Sequence, residues 1–116
     1  MTRRDRRPYQ DTWRNGELVR AGRRDCAARY KIMRKALVGA LGRGPWTVAD
    51  VGGWDGYFVR RLVEDFGGQG TIVEPRAVDL SATDIRHLQM TVAGDNVSAV
   101  GTHDVILALS VFHHMD

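Results

Sequence analysis

Five residues constrain this chain more than any others: Gly52-Gly53-Trp54-Asp55-Gly56, a bend poor in side chains between a β-type run and a helical run. The run before it, Thr47-Val48-Ala49-Asp50-Val51, contains β-branched residues and reads as a strand. After it, Phe58, Leu62 and Phe66 form one stripe at helical spacing, with Val59 and Val63 beside it, so a helix with a core-facing stripe is expected over about Tyr57 to Phe66. Gly67-Gly68 closes that helix, and Thr71-Ile72-Val73-Glu74 reads as a second strand stopped by Pro75. Strand, helix and strand within about 30 residues make the βαβ unit of a parallel sheet. The chain is therefore expected in the α/β class.

The flanks extend this unit. With 116 residues the expectation is one domain. Residues 1–20 are polar, rich in arginine and broken by Pro8 and Gly16, so a basic, flexible arm is expected over 1–22, with Trp13 and Leu18 able to dock on the body. The body then runs over 23–116. From about Arg23 to Leu41 the spacing of Cys26, Tyr30, Met33, Leu37 and Leu41 stacks them on one helical face. Gly42 is placed to end this N-terminal helix, and Gly44-Pro45 prevents its continuation. Further on, Ala77 to Ala82 is expected as a short helix, Ile85 to Val92 as a third strand and Asp95 to Val100 as a helical turn. Asp104-Val105-Ile106-Leu107-Ala108-Leu109 is a continuous apolar run behind one aspartate, the pattern of a central parallel strand over 104–109.

Composition excludes several classes. No run of about 18 apolar residues exists, so no membrane span is expected, and the first eight residues lack the apolar stretch of a secretory signal. The single cysteine, Cys26, forms no internal disulfide and no thiolate metal site, and reads as an inert packed thiol in a cytoplasmic protein. Residues 1–35 hold 12 Lys and Arg against 4 Asp and Glu, net +8, whereas residues 36–116 hold 5 against 10, net −5. A basic stretch over residues 3–35 is either a solvated face or a surface for nucleic acid. His87 and His103 carry no pattern and read as surface residues.

Three pieces carry chemistry together. The bend lets backbone approach a ligand, because Gly52, Gly53 and Gly56 have no Cβ. Open α/β sheets bind ligands outside the carboxyl ends of their strands. Glu74 ends the next strand, where a carboxylate can accept hydrogen bonds from both hydroxyls of a ribose. Leu109-Ser110-Val111-Phe112-His113-His114 leaves the last strand toward the same edge.

The segment Asp50-Val51-Gly52-Gly53-Trp54-Asp55-Gly56 resembles the first motif of class I, Rossmann-like S-adenosylmethionine-dependent methyltransferases. Glu74 matches the acidic residue after that family's second strand, and Asp104 to His114 is similar to its fourth-strand segment. The resemblance covers about residues 45–116. It implies a partial doubly wound parallel sheet of about four strands, order 3-2-1-4, with the N-terminal helix beside it. It implies S-adenosylmethionine as cofactor, with Gly52, Gly53, Trp54 and Gly56 under its methionine part and Glu74 on its ribose. Asp50 would orient the bend or reach the methionine ammonium through water, Asp95 would meet the adenine amine, and Leu109 and Ser110 would line the pocket. His113 or His114 would serve as a base where the acceptor must lose a proton; the alternative is that the pair fixes a loop. Trp54 is open between lining the pocket and packing the helix.

The family fold has seven strands, and the sequence stops at Asp116, just after the fourth. That strand would then be an apolar edge, completed by another polypeptide or by self-association, or the chain is a truncated relative. The methyl acceptor is open among a small molecule, RNA and protein. Two other functions compete: a nicotinamide-dependent oxidoreductase, disfavoured because Gly-x-Gly-x-x-Gly is missing, and a non-catalytic remnant binding nucleic acid or protein.

Overall fold

The computed structural model describes residues 7–8, 10–80 and 85–109. It is mixed α/β, with a two-stranded hairpin, two helices and a four-stranded parallel sheet. The hairpin comprises β1 (Thr12–Arg14) and β2 (Glu17–Arg20). Next come α1 (Cys26–Leu41), β3 (Trp46–Val51), α2 (Tyr57–Phe66), β4 (Gly68–Val73), β5 (Arg86–Leu88), a 3-10 turn (Val97–Val100) and β6 (Val105–Leu107). The sheet order is β5-β4-β3-β6, and every pairing in it is parallel.

The hairpin corrects the expectation of a flexible arm at residues 12–20. Its turn is Asn15-Gly16, both at positive φ (50° and 78°), the pair whose twist suits a two-residue hairpin. It is fastened to α2: the Trp13 indole N–H donates to Glu64 at 2.7 Å and the Gly16 amide to the same carboxylate at 3.0 Å. The Arg61 guanidinium lies 4.4 Å from the Trp13 ring and 4.3 Å from the Tyr30 ring, so one cation joins hairpin, α1 and α2.

Helix α1 starts at Cys26, not Arg23, because the Asp25 carboxylate accepts the Ala28 amide and caps it. It ends at Gly42, as the sequence indicates, with the Gly42 amide donating to the Val38 carbonyl. Of the expected stripe, Cys26 and Tyr30 are buried and Met33 and Leu37 pack against the core. Leu41 is exposed instead, and Val38 packs inward. Burial pushes the Cys26 thiol up from its ordinary value.

Paired residues of a parallel sheet share a face. One face carries Val48, Ile72, Ile85, Val105 and Leu107, and α2 covers it with Tyr57, Phe58, Val59 and Leu62. The opposite face carries a smaller cluster, Ala49 and Val73 with Val100, joined by Val51, Leu88, Met90 and Val92. The expected strand over Ile85 to Val92 is only Arg86–Leu88, since the chain then folds across that second face. Residues 77–80 are not helical, and residues 81 and 82 lie outside the described ones. The expected turn over Asp95 to Val100 is 3-10 from Val97, and the last strand is Val105–Leu107 within the expected 104–109. No helix among the described residues is long and apolar enough to cross a membrane.

Candidate functional site

Strands β3 and β4 pair in register to their last residues, Val51 against Val73, so the two connections leaving them emerge side by side. The bend after β3 is drawn over β4 by its first amide, since the Gly52 N–H donates to the Val73 carbonyl at 2.7 Å. It closes on itself through the Gly56 amide and the Gly53 carbonyl, 2.8 Å apart. Two of its glycines answer to the protein's own packing. A Cβ on Gly53 would lie 2.7 Å from the Asp50 carboxyl carbon, and one on Gly56 would lie 2.3 Å from Ile72 Cδ1. Gly56 also has φ 82°, which it adopts without strain.

Glu74 comes directly after β4. Its carboxylate accepts the Trp54 amide at 3.1 Å on one oxygen and the Arg76 amide at 3.0 Å on the other. The Arg76 side chain adds a longer contact to Glu74, 3.5 Å from Nε, and another of 3.5 Å to Asp55. Its guanidinium sits 3.6 Å from the Trp54 ring centroid. Trp54 has φ 57°, a region sparsely used by residues with a Cβ. The bond from its amide to Glu74 helps to hold it there. On the other side of Glu74, the His87 ring Nε2–H donates to the Glu74 carbonyl at 2.8 Å, and the Glu74 amide to the Leu88 carbonyl at 3.1 Å.

Asp50 lies on the helix-covered face of β3, one residue before its end, and is 2% exposed. Its Oδ2 has no hydrogen-bond partner among the described residues. Burial, and secondarily the charge of Glu74, push its carboxyl up to about 7. A buried carboxylate oxygen without a donor is costly, and structures rarely retain one without a use.

Beneath the bend, Arg60 is buried on α2 and bridges two loops. Its Nε donates to the Asp55 carbonyl at 2.7 Å and its terminal nitrogen to the Asp79 carbonyl at 2.6 Å. Arg14 of the hairpin reaches the Asp79 carboxylate at 2.8 Å. The bend, the loop after Glu74 and the hairpin are thus one braced unit.

The structure therefore brings Asp50, Gly52, Gly53, Trp54, Gly56 and Glu74 to neighbouring strand ends. It does not bring Asp95 there: that residue is exposed in the turn before Val97, and no hydrogen bond or ion pair ties it to the bend or to Glu74 among the described residues. Leu109 stands two residues past β6 and is exposed. Ser110, His113 and His114 lie outside the described residues. His103 is half-buried rather than a plain surface residue, with Nε2 2.7 Å from the Val100 carbonyl. His87 likewise serves as a tie, here between β5 and the end of β4. Two residues at the site carry no signal in the sequence. Arg76 stands beyond a proline in a loop, and the partner of His87 is fixed only by strand register. No group of His, Cys, Asp and Glu among the described residues is arranged to hold a metal.

Chemically the site offers acceptors and backbone amides at neighbouring parallel strand ends. A carboxylate has about four acceptor positions. Two backbone donors on Glu74 therefore leave capacity for a vicinal diol. Compared with protein-family models, curated proteins and solved structures, the chain matches none.

Proposed function

We propose that this chain is the cofactor-binding part of a class I S-adenosylmethionine-dependent methyltransferase. The observation that carries the reading is the joint at the tips of β3 and β4: a buried Glu74 carboxylate bonded to the Trp54 amide of a glycine-rich bend. The four-stranded parallel sheet, with neighbours β5-β4-β3-β6, supports this reading, being compatible with the 3-2-1-4 order of the resemblance when β3 is taken as the first strand. A partial doubly wound sheet of this order opens its ligand crevice above β3.

The donor set fits an adenosyl amino acid. Glu74 takes the ribose hydroxyls, the bend lies under the amino-acid part, and Asp50 supplies an acceptor for an ammonium, directly or through water. An ammonium near Asp50 would compensate an otherwise unpartnered buried oxygen. When bound, the cofactor supplies a methyl group already activated by its positive sulfur. The residues of this chain then bind and align rather than activate.

Calorimetric titration with S-adenosylmethionine, S-adenosylhomocysteine and NAD tests the reading, on wild type and Glu74→Ala, with thermal melts to show that both are folded. Adenosylhomocysteine is expected to bind wild type and to lose about 100-fold or more in the variant, because two hydrogen bonds to a charged acceptor disappear. Binding of NAD alone, or equal binding by a folded variant, overturns it.

A further inference from the structure

Glu74 is placed to hold a diol, yet its side chain is only 7% exposed. The groups that cover it decide how a ligand gets in. Its backbone donors, the amides of Trp54 and Arg76, are parts of the turns themselves. The Arg76 side chain is different. It is 42% exposed, and its contacts to Glu74 and Asp55 are both 3.5 Å, well beyond the 2.7–2.9 Å typical of a tight charge-assisted bond. Its main support is the Trp54 ring, against which the guanidinium lies at 3.6 Å.

We propose that the Arg76 side chain is a gate on the diol-binding carboxylate: it occupies the Glu74 Oε2 side in the ligand-free protein and swings off when a ribose takes its place. This deepens the adenosyl reading and rests on it. The geometry gives the gate three properties. It competes for the same oxygen that a hydroxyl would use, so it lowers apparent affinity by the fraction of time it is closed. It is held by two long ion contacts whose guanidinium is 42% exposed, so salt loosens it. And it discriminates, because a ligand lacking one hydroxyl has less to gain from displacing it.

The test uses Arg76→Met, which keeps an unbranched apolar stem to lie against Trp54 and removes the charge. Wild type and variant are titrated calorimetrically with S-adenosylhomocysteine and with its 2′-deoxyribose analogue, at low and at high sodium chloride. The variant is expected to bind adenosylhomocysteine about 2- to 5-fold more tightly than wild type, the size of one weak ion pair removed as a competitor. The gain is expected to be smaller for the deoxy analogue. Wild-type affinity for this net-neutral ligand should rise with salt, and that of the variant should not. Equal or weaker binding by the variant, with wild-type binding intact, overturns the gate and leaves the adenosyl reading standing. If neither protein binds either ligand, the adenosyl reading fails and the gate fails with it.

Discussion

The two faces of the parallel sheet place their polar residues at opposite ends. The face under α2 is built on Val48, Ile85, Val105, Leu107 and Ile72, and level with the last two it buries one carboxylate, Asp50, near the carboxyl ends of the strands, with His87 beside Ile72. The opposite face reverses this. Ala49, Val51, Val73 and Leu88 make its carboxyl-end half apolar, while Thr47, Gln69, Thr71 and Arg86 line an open cavity of about 620 Å³ at its amino end. The polar groups of that second face are largely solvated or bonded; Thr47, for example, exchanges hydrogen bonds with Asp104 at 3.0 Å. Asp50 is instead buried, with no donor to its Oδ2 among the described residues. The same residue class is thus cheap at one end of one face and costly at the other end of the other. The costly one stands beside the bend and Glu74.

The largest effect that can break this contrast is in the packing. Phe58 is almost wholly buried between α2, α1 and the sheet, so Phe58→Ala is expected to cost about 3–5 kcal/mol. Val100 anchors the smaller cluster, and Val100→Ala is expected to cost about 1–2 kcal/mol. Urea denaturation of both variants checks this. Equal losses would mean that the second face carries as much of the stability as the first.

The next effect is smaller and specific to Asp50. Its folded pKa, about 7, stands above the ordinary carboxyl value of 3.8. Between those two values the folded state therefore binds the extra proton, and stability falls as pH rises through that window. The contribution is fully present below about pH 4 and lost above about 7. Asp50→Asn removes the titration. At pH 8 the variant is expected to be about 1–3 kcal/mol more stable than wild type, with the gap closing by pH 4. Chemical denaturation at four or five pH values measures it, and parallel profiles for the two proteins would show that Asp50 is not held in the buried state described.

The contrast between the faces also explains how much of the fold is legible in the sequence. The βαβ unit is legible because its signals are local: a stripe at Phe58, Leu62 and Phe66, a bend that needs glycine at Gly56, and β-branched runs on either side. The hairpin is hidden although Asn15-Gly16 is a strong local turn signal. The arginines around it make the segment read as solvated, whereas Trp13 is held by Glu64 and Arg61 on α2. The meeting of Asp50, the bend and Glu74 depends on the pairing of β3 with β4, which composition alone does not give. Arg76 is illegible for a different reason. Its place depends on a Trp54 ring 22 positions earlier in the chain, brought under it by two turns. The segment after Leu88 reads as more strand than it is because it crosses an open face rather than extending a strand.

The smallest effect tests whether the polar half of the second face is as inexpensive as it looks. Arg86 is exposed on β5, at the edge of the sheet, and its side chain has no hydrogen-bond or ion-pair partner among the described residues. Its aliphatic stem covers little of the apolar cluster, because Leu88, two positions on, already fills that place. Arg86→Ala is therefore expected to change stability by less than about 0.5 kcal/mol at any pH between 5 and 8. A loss above about 1 kcal/mol in the same urea experiment would place real packing or pairing on the amino-end half of that face. The amino-end half of that face would then bear its polarity at a cost, as the carboxyl end of the α2-covered face does at Asp50.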